Sequence, residues 1–319
     1  GKLGVTFGGG AMQLDLVERK GKYNNGFCHW PTLVRYEQGK RRPGAANFTC
    51  NVTPRQIGSG VIAYKTLFHE GGHAAHLLNT TQRDVCLNHE YAPMTAAWAE
   101  TQSMFMDTVF ASPEWQSRYA KNSDGEVYSF ALYEEKVKAT AILRPRGIMS
   151  IVFIATFERR VYEEKNLTEA KVVRIAKDTC REIFDYSTDS LLALNTPHIY
   201  SWQSACSYHG YGLAQVALYQ WRDYFYKKYG YIVDNPVVGK EMKEAWSWGA
   251  RYDFKTAVRQ ATGQQLSPKA LIRHITRSPE TVIRDAKKAI KRLETVKGKS
   301  VKLDAGITMV HGKKVIADS

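Results

Sequence analysis

The segment HEGGHAAH, at residues 69–76, limits what this chain can fold into more than any other part of its sequence. Histidines four positions apart point the same way on a helix, so His69 and His73 predict a helix, which the surrounding apolar spacing extends over residues 59–78. Both imidazoles could then bind one zinc ion, with Glu70 beside them to hold a water molecule. The pattern therefore predicts a hydrolytic metal site; a surface helix with incidental histidines is the alternative.

Two adjacent glycines, Gly71 and Gly72, lie in the middle of this predicted helix. A glycine costs about 1 kcal/mol relative to alanine inside a helix, so a helix that carries two of them needs a compensating reason. Close packing against a neighbouring helix is such a reason. The glycines therefore favour a packed, metal-binding helix over an exposed one.

A hydrolytic zinc site needs a third protein ligand, which is expected on a following helix. Residues 95–107 are strongly helical in composition, and Glu100 lies there among apolar and small residues. An unpaired carboxylate in that setting would be costly, and binding a cation would remove the cost. Glu100 is therefore the predicted third ligand, and Asp107, two turns further along the same face, is predicted to support a ligand from behind. Three nearby residues are rival third ligands: His76, His89 and Glu90.

The hydrophobic pattern predicts a mainly α-helical fold with a small antiparallel β-sheet near its start. Residues 1–55 are rich in glycine and β-formers, and the predicted strands there are 4–7, 12–17 and 46–53. Helical periodicity fills residues 56–296. Residues 297–319 suggest a terminal hairpin or an extended tail. The content of 44% apolar and 24% charged residues is ordinary for a folded protein and excludes a disordered chain. We expect the chain to form one domain over 1–319. The longest apolar stretch, 147–157, is too short to cross a bilayer, so no membrane partner is expected.

Together, these motifs resemble the thimet oligopeptidase family of zinc peptidases, which includes oligoendopeptidase F. The family signature H-E-x-G-H-x-x-H matches residues 69–76, and Glu100 stands about 27 residues after the second histidine, where the family has its third ligand. Residues 15–23 resemble the family's strand-and-turn segment, and residues 197–200 with 208–211 resemble its substrate-contacting loop rich in His and Tyr. The resemblance implies a zincin-type, neurolysin-like fold, one Zn²⁺ per chain, and hydrolysis of short oligopeptides. Family members are about twice this length, so the chain resembles their C-terminal catalytic half without the helical N-terminal half.

The resemblance also implies roles for individual residues. Glu70 would activate the zinc-bound water as general base, and His198 and Tyr208 would stabilise the oxyanion, with Tyr211 and Tyr200 as the alternative donors. The substrate would be bound by other residues of the loop, namely Tyr200, His209, Gly210 and Tyr211. Residues 46–51, which include Asn47 and Cys50, are interpreted as an edge strand that pairs with an extended peptide, or equally as an ordinary buried strand. Endopeptidase and dipeptidyl carboxypeptidase activities are both compatible with this pattern.

Charge and cysteine content leave other readings open. The net charge of +14 and ten Lys and Arg residues between Lys269 and Lys299 raise nucleic-acid binding as an alternative, but no nucleic-acid-binding motif accompanies them. A catalytically inactive structural homologue is a second alternative, against which the presence of Glu70 counts.

The five scattered cysteines indicate reduced thiols, hence the cytoplasm, with the mitochondrial matrix as the alternative. The expected partners are short peptides, together with the chain's own N-terminal half or a second copy.

Overall fold

The computed structural model describes residues 1–23, 25–90, 95–185, 191–201, 204–297 and 302–319. Over these residues the predicted mainly helical fold with a small sheet is confirmed. The helices are α1 (Ser59–Leu78), α2 (Ala96–Phe110), α3 (Pro113–Tyr119), α4 (Phe130–Ala139), α5 (Arg146–Glu163), α6 (Glu169–Phe184), α7 (His209–Tyr229), α8 (Pro236–Trp246), α9 (Phe254–Thr262), α10 (Lys269–Ile275) and α11 (Pro279–Glu294). The strands are β1 (Ala11–Val17), β2 (Phe27–Thr32), β3 (Arg35–Glu37), β4 (Lys40–Arg42), β5 (Ala45–Val52), β6 (Gly306–His311) and β7 (Lys314–Asp318).

The five-stranded sheet is mixed, so the predicted all-antiparallel arrangement is wrong. Its order is β2-β5-β1-β6-β7, and β1 pairs in parallel with both β5 and β6. No single turn joins β1 to β5. Along the chain, β2 and the separate β3–β4 hairpin lie between these two strands. The C-terminal residues form the hairpin β6–β7, which extends the N-terminal sheet.

The predicted strand at residues 4–7 is absent, because this segment packs against helices instead. Leu3 and Val5 are buried in the helical core, and the Leu3 carbonyl accepts a hydrogen bond from the Gly239 amide in α8 at 3.1 Å. Val5 is therefore buried among helices, whereas Phe7 packs against both the helical core and the core beneath the sheet.

The described residues form three apolar cores, two of which include residues of the central helices α1 and α2. The largest joins α2, α7, α8 and α9 around the buried Trp98, Trp221 and Trp246. A second core packs β1 and β5 against α1, through Leu14, Phe48 and neighbouring side chains. Helix α1 is thus held by the sheet on one side and by α2 on the other.

The third core explains the most apolar stretch of the sequence. In α5 the side chains of Phe153, Ile154 and Phe157 are buried against α6. Among the described residues no single helix is long and apolar enough to cross a membrane, although Phe130–Ala139 and Ala141–Glu163, bent by 59°, reach that length and composition together.

Candidate metal centre

Helix α1 carries the HEGGHAAH segment in its second half, where the helix enters the protein. Its first half is solvent-facing, with Val61, Ile62 and Tyr64 all more than half exposed. From Glu70 onward nearly every residue of α1 is buried. The helical spacing that the two histidines require is present, and it places both of them at this transition from solvent to core.

The two glycines of the segment differ in what surrounds them. A Cβ on Gly72 would lie 2.8 Å from the Ser103 Cα and 3.0 Å from the Gln102 carbonyl, both in α2. A Cβ on Gly71 would meet nothing within 4 Å. Gly72 therefore permits α1 to pack closely against a neighbouring helix, as the sequence predicted, and that helix is α2. Close helix packing does not explain the glycine at position 71.

This close approach brings His69, His73 and Glu100 into one group whose donor atoms all lie within 4.8 Å of one another. The Glu100 Oε2 atom is 3.3 Å from His69 Nε2 and 3.6 Å from His73 Nε2. Donor atoms that surround a tetrahedral ion at about 2.1 Å are about 3.4 Å apart. Two nitrogens and one carboxylate oxygen thus have the separations and chemistry of a three-ligand metal site with an open fourth position.

A carboxylate lies behind each of the two histidines. Asp107 Oδ2 is 3.0 Å from His69 Nδ1, in the supporting position that the sequence predicted for this residue. Glu90 is 3.3 Å from His73 Nδ1 and 2.7 Å from His76 Nδ1. Sequence reasoning considered Glu90 and His76 only as rival ligands; the structure places both behind His73 and outside the ligand group.

Burial and mutual contact shift the pKa values of this group. Burial lowers the pKa of His69, but its hydrogen bonds with Asp107 and Glu100 outweigh burial and raise the pKa to about 9. For Glu100 burial opposes ionisation, yet His73 and His69 hold its pKa well below the usual range. Burial likewise raises the pKa of Glu90, and the two histidines beside it bring the value down to about 2. The carboxylates are therefore ionised, as metal ligands and their supports must be.

Glu70 lies beside the donor group and is 5% exposed. Burial raises its pKa, and the nearby histidines oppose this shift only in part. A buried carboxylate with a raised pKa accepts a proton more readily than an exposed one, which favours a role as general base. The loop before β2 approaches it closely, since a Cβ on Gly26 would lie 3.2 Å from Glu70 Oε1.

Three aromatic side chains from the loop before α7 and from its first turn lie next to the donor group. The rings of His198, Tyr208 and Tyr211 contact one another with centroids 5.1–5.7 Å apart. The Tyr211 hydroxyl lies 3.2 Å from His198 Nε2. It also lies close enough to Glu100 for the negative charge of that carboxylate to act on the Tyr211 phenol. Tyr211 thus links the aromatic cluster to the donor group.

Burial keeps these aromatic groups in their neutral forms. It lowers the pKa of His198, which leaves the imidazole uncharged at neutral pH. It raises the pKa of Tyr208 and Tyr211, so both phenols keep their protons. The cluster consists of hydrogen-bond donors that carry no charge.

A buried glutamate that sequence reasoning missed anchors this loop to α5. Glu158 Oε1 accepts a hydrogen bond from the Cys206 backbone N–H at 3.1 Å, and the side chain is 3% exposed. The sequence signal was an acidic residue on the apolar face of α5, between Phe157 and Val161.

The other predicted substrate-binding residues of the loop are placed differently. Tyr200 is largely exposed, and its hydroxyl donates to the Leu194 carbonyl at 2.8 Å. Gly210 is buried where α7 packs against Ala96 and Ala97 at the start of α2. His209 is exposed at the first position of α7.

The interpretation of residues 46–51 as an edge strand is wrong. Strand β5, which carries Asn47 and Cys50, lies between β2 and β1. Asn47 pairs with Gln13 on one side and His29 on the other, and Cys50 is buried. A fully paired strand cannot accept a peptide by strand addition, and the outermost strand on this side of the sheet is β2.

Comparison with known proteins agrees with this architecture. The sequence model described as peptidase family M3 matches residues 8–277, and no curated protein matches the sequence. The M32 carboxypeptidase from Deinococcus radiodurans R1 has a TM-score of 0.62 at 14% identity, over 89% of this chain and 57% of its own. Metallocarboxypeptidase 1 of Trypanosoma cruzi has a TM-score of 0.59 at 16% identity, over 86% and 55% of the two chains.

A third solved structure, PZ peptidase A with an inhibitor, has a TM-score of 0.56 at 21% identity, over 90% of this chain and 44% of its own. At such identities the likeness establishes the fold alone. The chain spans about half the length of these solved relatives, from 44% to 57%.

Proposed function

The chain belongs to peptidase family M3, whose sequence model covers most of its length, and from that premise we propose that it is a zinc-dependent peptidase acting on short peptides. The observation that carries the proposal is the group of His69, His73 and Glu100, with Glu70 beside it. Family membership alone would be compatible with an inactive relative. The buried carboxylate next to three converging donor atoms favours an active one.

The donor group suits zinc in both chemistry and spacing. His69 and His73 would each supply Nε2 and Glu100 would supply Oε2, a nitrogen-rich set that zinc accepts in catalytic sites. When bound, zinc lowers the pKa of water towards neutrality and polarises a peptide carbonyl. Asp107 and Glu90 accept hydrogen bonds from the two Nδ1–H groups and so hold each ring with its Nε2 toward the ion.

Glu70 carries the proton in the proposed reaction. Its carboxylate accepts a proton from the attacking water and passes it to the leaving amine. The raised pKa that burial gives Glu70 suits both steps, because a carboxylate of normal pKa would hold the proton too weakly. The low polarity around Glu70 strengthens its interaction with the water that it orients.

The aromatic cluster supplies donors to the oxyanion that forms when the carbonyl is attacked. The Tyr211 hydroxyl and His198 Nε2 orient each other at 3.2 Å, and both side chains lie close enough to Glu100 for its charge to act on them. Tyr208 packs against both rings. Because all three are uncharged donors, they favour a developing negative charge over the neutral carbonyl of the substrate.

Strand β2 offers the substrate an edge beside Glu70. It is the outermost strand of the sheet on this side, and it begins at Phe27, directly after the Gly26 backbone that approaches Glu70. An extended peptide that pairs with this edge would have its backbone next to the general base. Unstructured peptides can adopt this conformation, whereas most folded segments cannot.

A nucleic-acid role has less support from the structure. Several basic side chains of the C-terminal region are paired with acids, including Arg273 with Asp223 at 2.7 Å and Arg277 with Asp285 at 2.5 Å. Lys299, at the end of the basic segment, lies outside the described residues. Affinity for nucleic acid that falls steeply with salt would revive this alternative.

The test is cleavage of a defined peptide mixture by the purified chain, followed by mass spectrometry. We expect hydrolysis that a chelator abolishes, that added zinc restores, and that Glu70→Gln removes while the exposed control Glu294→Gln leaves it intact. The positions of the cuts will separate endopeptidase from dipeptidyl carboxypeptidase activity. Cleavage that persists in Glu70→Gln would contradict the proposed role of this carboxylate, and a zinc-loaded chain that cleaves nothing would contradict the function.

A further inference from the structure

One carboxylate behind the candidate metal centre serves two imidazoles. Glu90 Oε1 lies 2.7 Å from His76 Nδ1 and 3.4 Å from His73 Nδ1, and Glu90 Oε2 lies 3.3 Å from His73 Nδ1. His76 is fully buried and Glu90 is 6% exposed. The shortest contact in this arrangement is with the histidine that is not part of the donor group.

These contacts fix which ring nitrogen of each histidine faces Glu90. A carboxylate accepts hydrogen bonds, so the Nδ1 atoms of His73 and His76 both donate to Glu90. The other ring nitrogen of His73, Nε2, then faces Glu100, 3.6 Å away. His76 Nε2 is buried with no hydrogen-bond partner among the described residues. Within the described part of the chain, the His76 ring therefore makes its hydrogen bond to Glu90 alone.

The two histidines and the carboxylate are held by different parts of the fold. His73 and His76 lie three residues apart on the rigid α1, on one face of the helix. Glu90 lies in the connection between α1 and α2, two residues after the fully buried Asn88. The Asn88 side-chain amide donates to the carbonyls of Val34 and Gln82, both at 2.8 Å. The backbone that leads to Glu90 is thus anchored, but its side chain is oriented by the two imidazoles.

We propose that His76 is a positioning residue, which holds Glu90 in place so that Glu90 can fix the ring orientation of His73, with Nε2 toward the donor group. This inference rests on the proposed zinc site, and it gives the last histidine of the HEGGHAAH segment a role other than metal binding. His73 alone holds Glu90 weakly, at 3.3–3.4 Å, whereas the 2.7 Å bond to His76 is short enough to set the position of the carboxylate.

The test compares two substitutions of His76 in the full-length chain by competition for zinc with a chelator. His76→Phe keeps a ring of similar size but removes the donor, and we expect zinc affinity to fall about 10- to 100-fold. His76→Asn places an amide N–H near the position of Nδ1 and should recover most of that loss. The matched control is His311→Phe, on the exposed face of β6, which should bind zinc like the wild type.

A second readout needs no metal and no activity. In the metal-free wild type, ¹⁵N NMR of the imidazoles should show the His73 Nδ1–H hydrogen-bonded to a carboxylate, and in His76→Phe this hydrogen-bond signature should weaken. If His76→Phe does not fold, Glu90→Gln serves in its place, because a neutral amide oxygen accepts more weakly than a carboxylate and should weaken the Nδ1–H hydrogen bonds of the two rings.

Wild-type zinc affinity and an unchanged His73 Nδ1–H hydrogen bond in His76→Phe would overturn the proposal, as would unchanged Nδ1–H hydrogen bonds of both rings in Glu90→Gln. These results differ from a failure of the zinc site itself, in which the wild type and His311→Phe would also bind no zinc.

Discussion

The close approach of α1 and α2 at Gly72 is the packing feature on which the donor group depends, and replacing the two adjacent glycines separately tests it. In Gly72→Ala the new methyl group would lie 2.8 Å from the Ser103 Cα and 3.0 Å from the Gln102 carbonyl. Both neighbours are backbone atoms, which cannot rotate away. The helices must therefore move apart, and Glu100 on α2 must move away from the histidines on α1.

The magnitudes follow from two opposing effects. Overpacking a buried contact costs about 1–3 kcal/mol, and alanine returns about 1 kcal/mol of helix propensity relative to glycine. Gly72→Ala should thus lower the free energy of unfolding by up to about 2 kcal/mol. Gly71→Ala, whose methyl group meets nothing within 4 Å, should raise it by about 1 kcal/mol.

The decisive difference is expected in metal binding. Displacement of Glu100 should weaken zinc binding about tenfold or more in Gly72→Ala, whereas Gly71→Ala should bind zinc like the wild type. Thermal unfolding of the metal-free variants measures the first effect and chelator competition measures the second. If Gly72→Ala binds zinc as tightly as Gly71→Ala, the close contact between the helices does not determine the geometry of the donor group.

Three further predictions follow from the same geometry. Glu100→Ala should lose tightly bound zinc in metal analysis while circular dichroism shows the helices intact; full zinc occupancy would assign the third ligand to another residue. Zinc affinity should rise with pH between about 7 and 9, by up to about tenfold per pH unit. The reason is that His69, with its pKa raised to about 9, is protonated in the metal-free protein and must release that proton to bind zinc. Titrations that show no pH dependence would contradict this prediction. His198→Phe should lower kcat more than it raises KM, because a donor to the oxyanion acts in the transition state, and an unchanged kcat in steady-state assays would leave His198 a packing role only.

Local periodicity made much of the candidate site predictable. The four-residue spacing of His69 and His73 requires a helix, and the polar Glu100 in an apolar segment stood out because burying a carboxylate is costly without a partner. Asp107 followed from the same helical face. These inferences need only the contacts of one helix or of two neighbouring helices.

Long-range pairing was not predictable in the same way. Strand β1 pairs with β6, almost 300 residues later in the chain, and nothing in the local pattern of either strand specifies a parallel partner at that distance. The interior position of β5 depends on its own two pairings, with β2 and with β1, which the local pattern likewise does not specify. Glu90 lies in a connection without periodicity, so its place behind His73 emerges only when the loop is anchored through Asn88.

The zinc content of the purified chain, measured by native mass spectrometry after loosely bound ions are removed, tests the central claim most directly. The account predicts close to one zinc ion per chain in the wild type and in Glu70→Gln, and none in His73→Ala. A folded wild-type chain without zinc, or full zinc occupancy in His73→Ala, would contradict it.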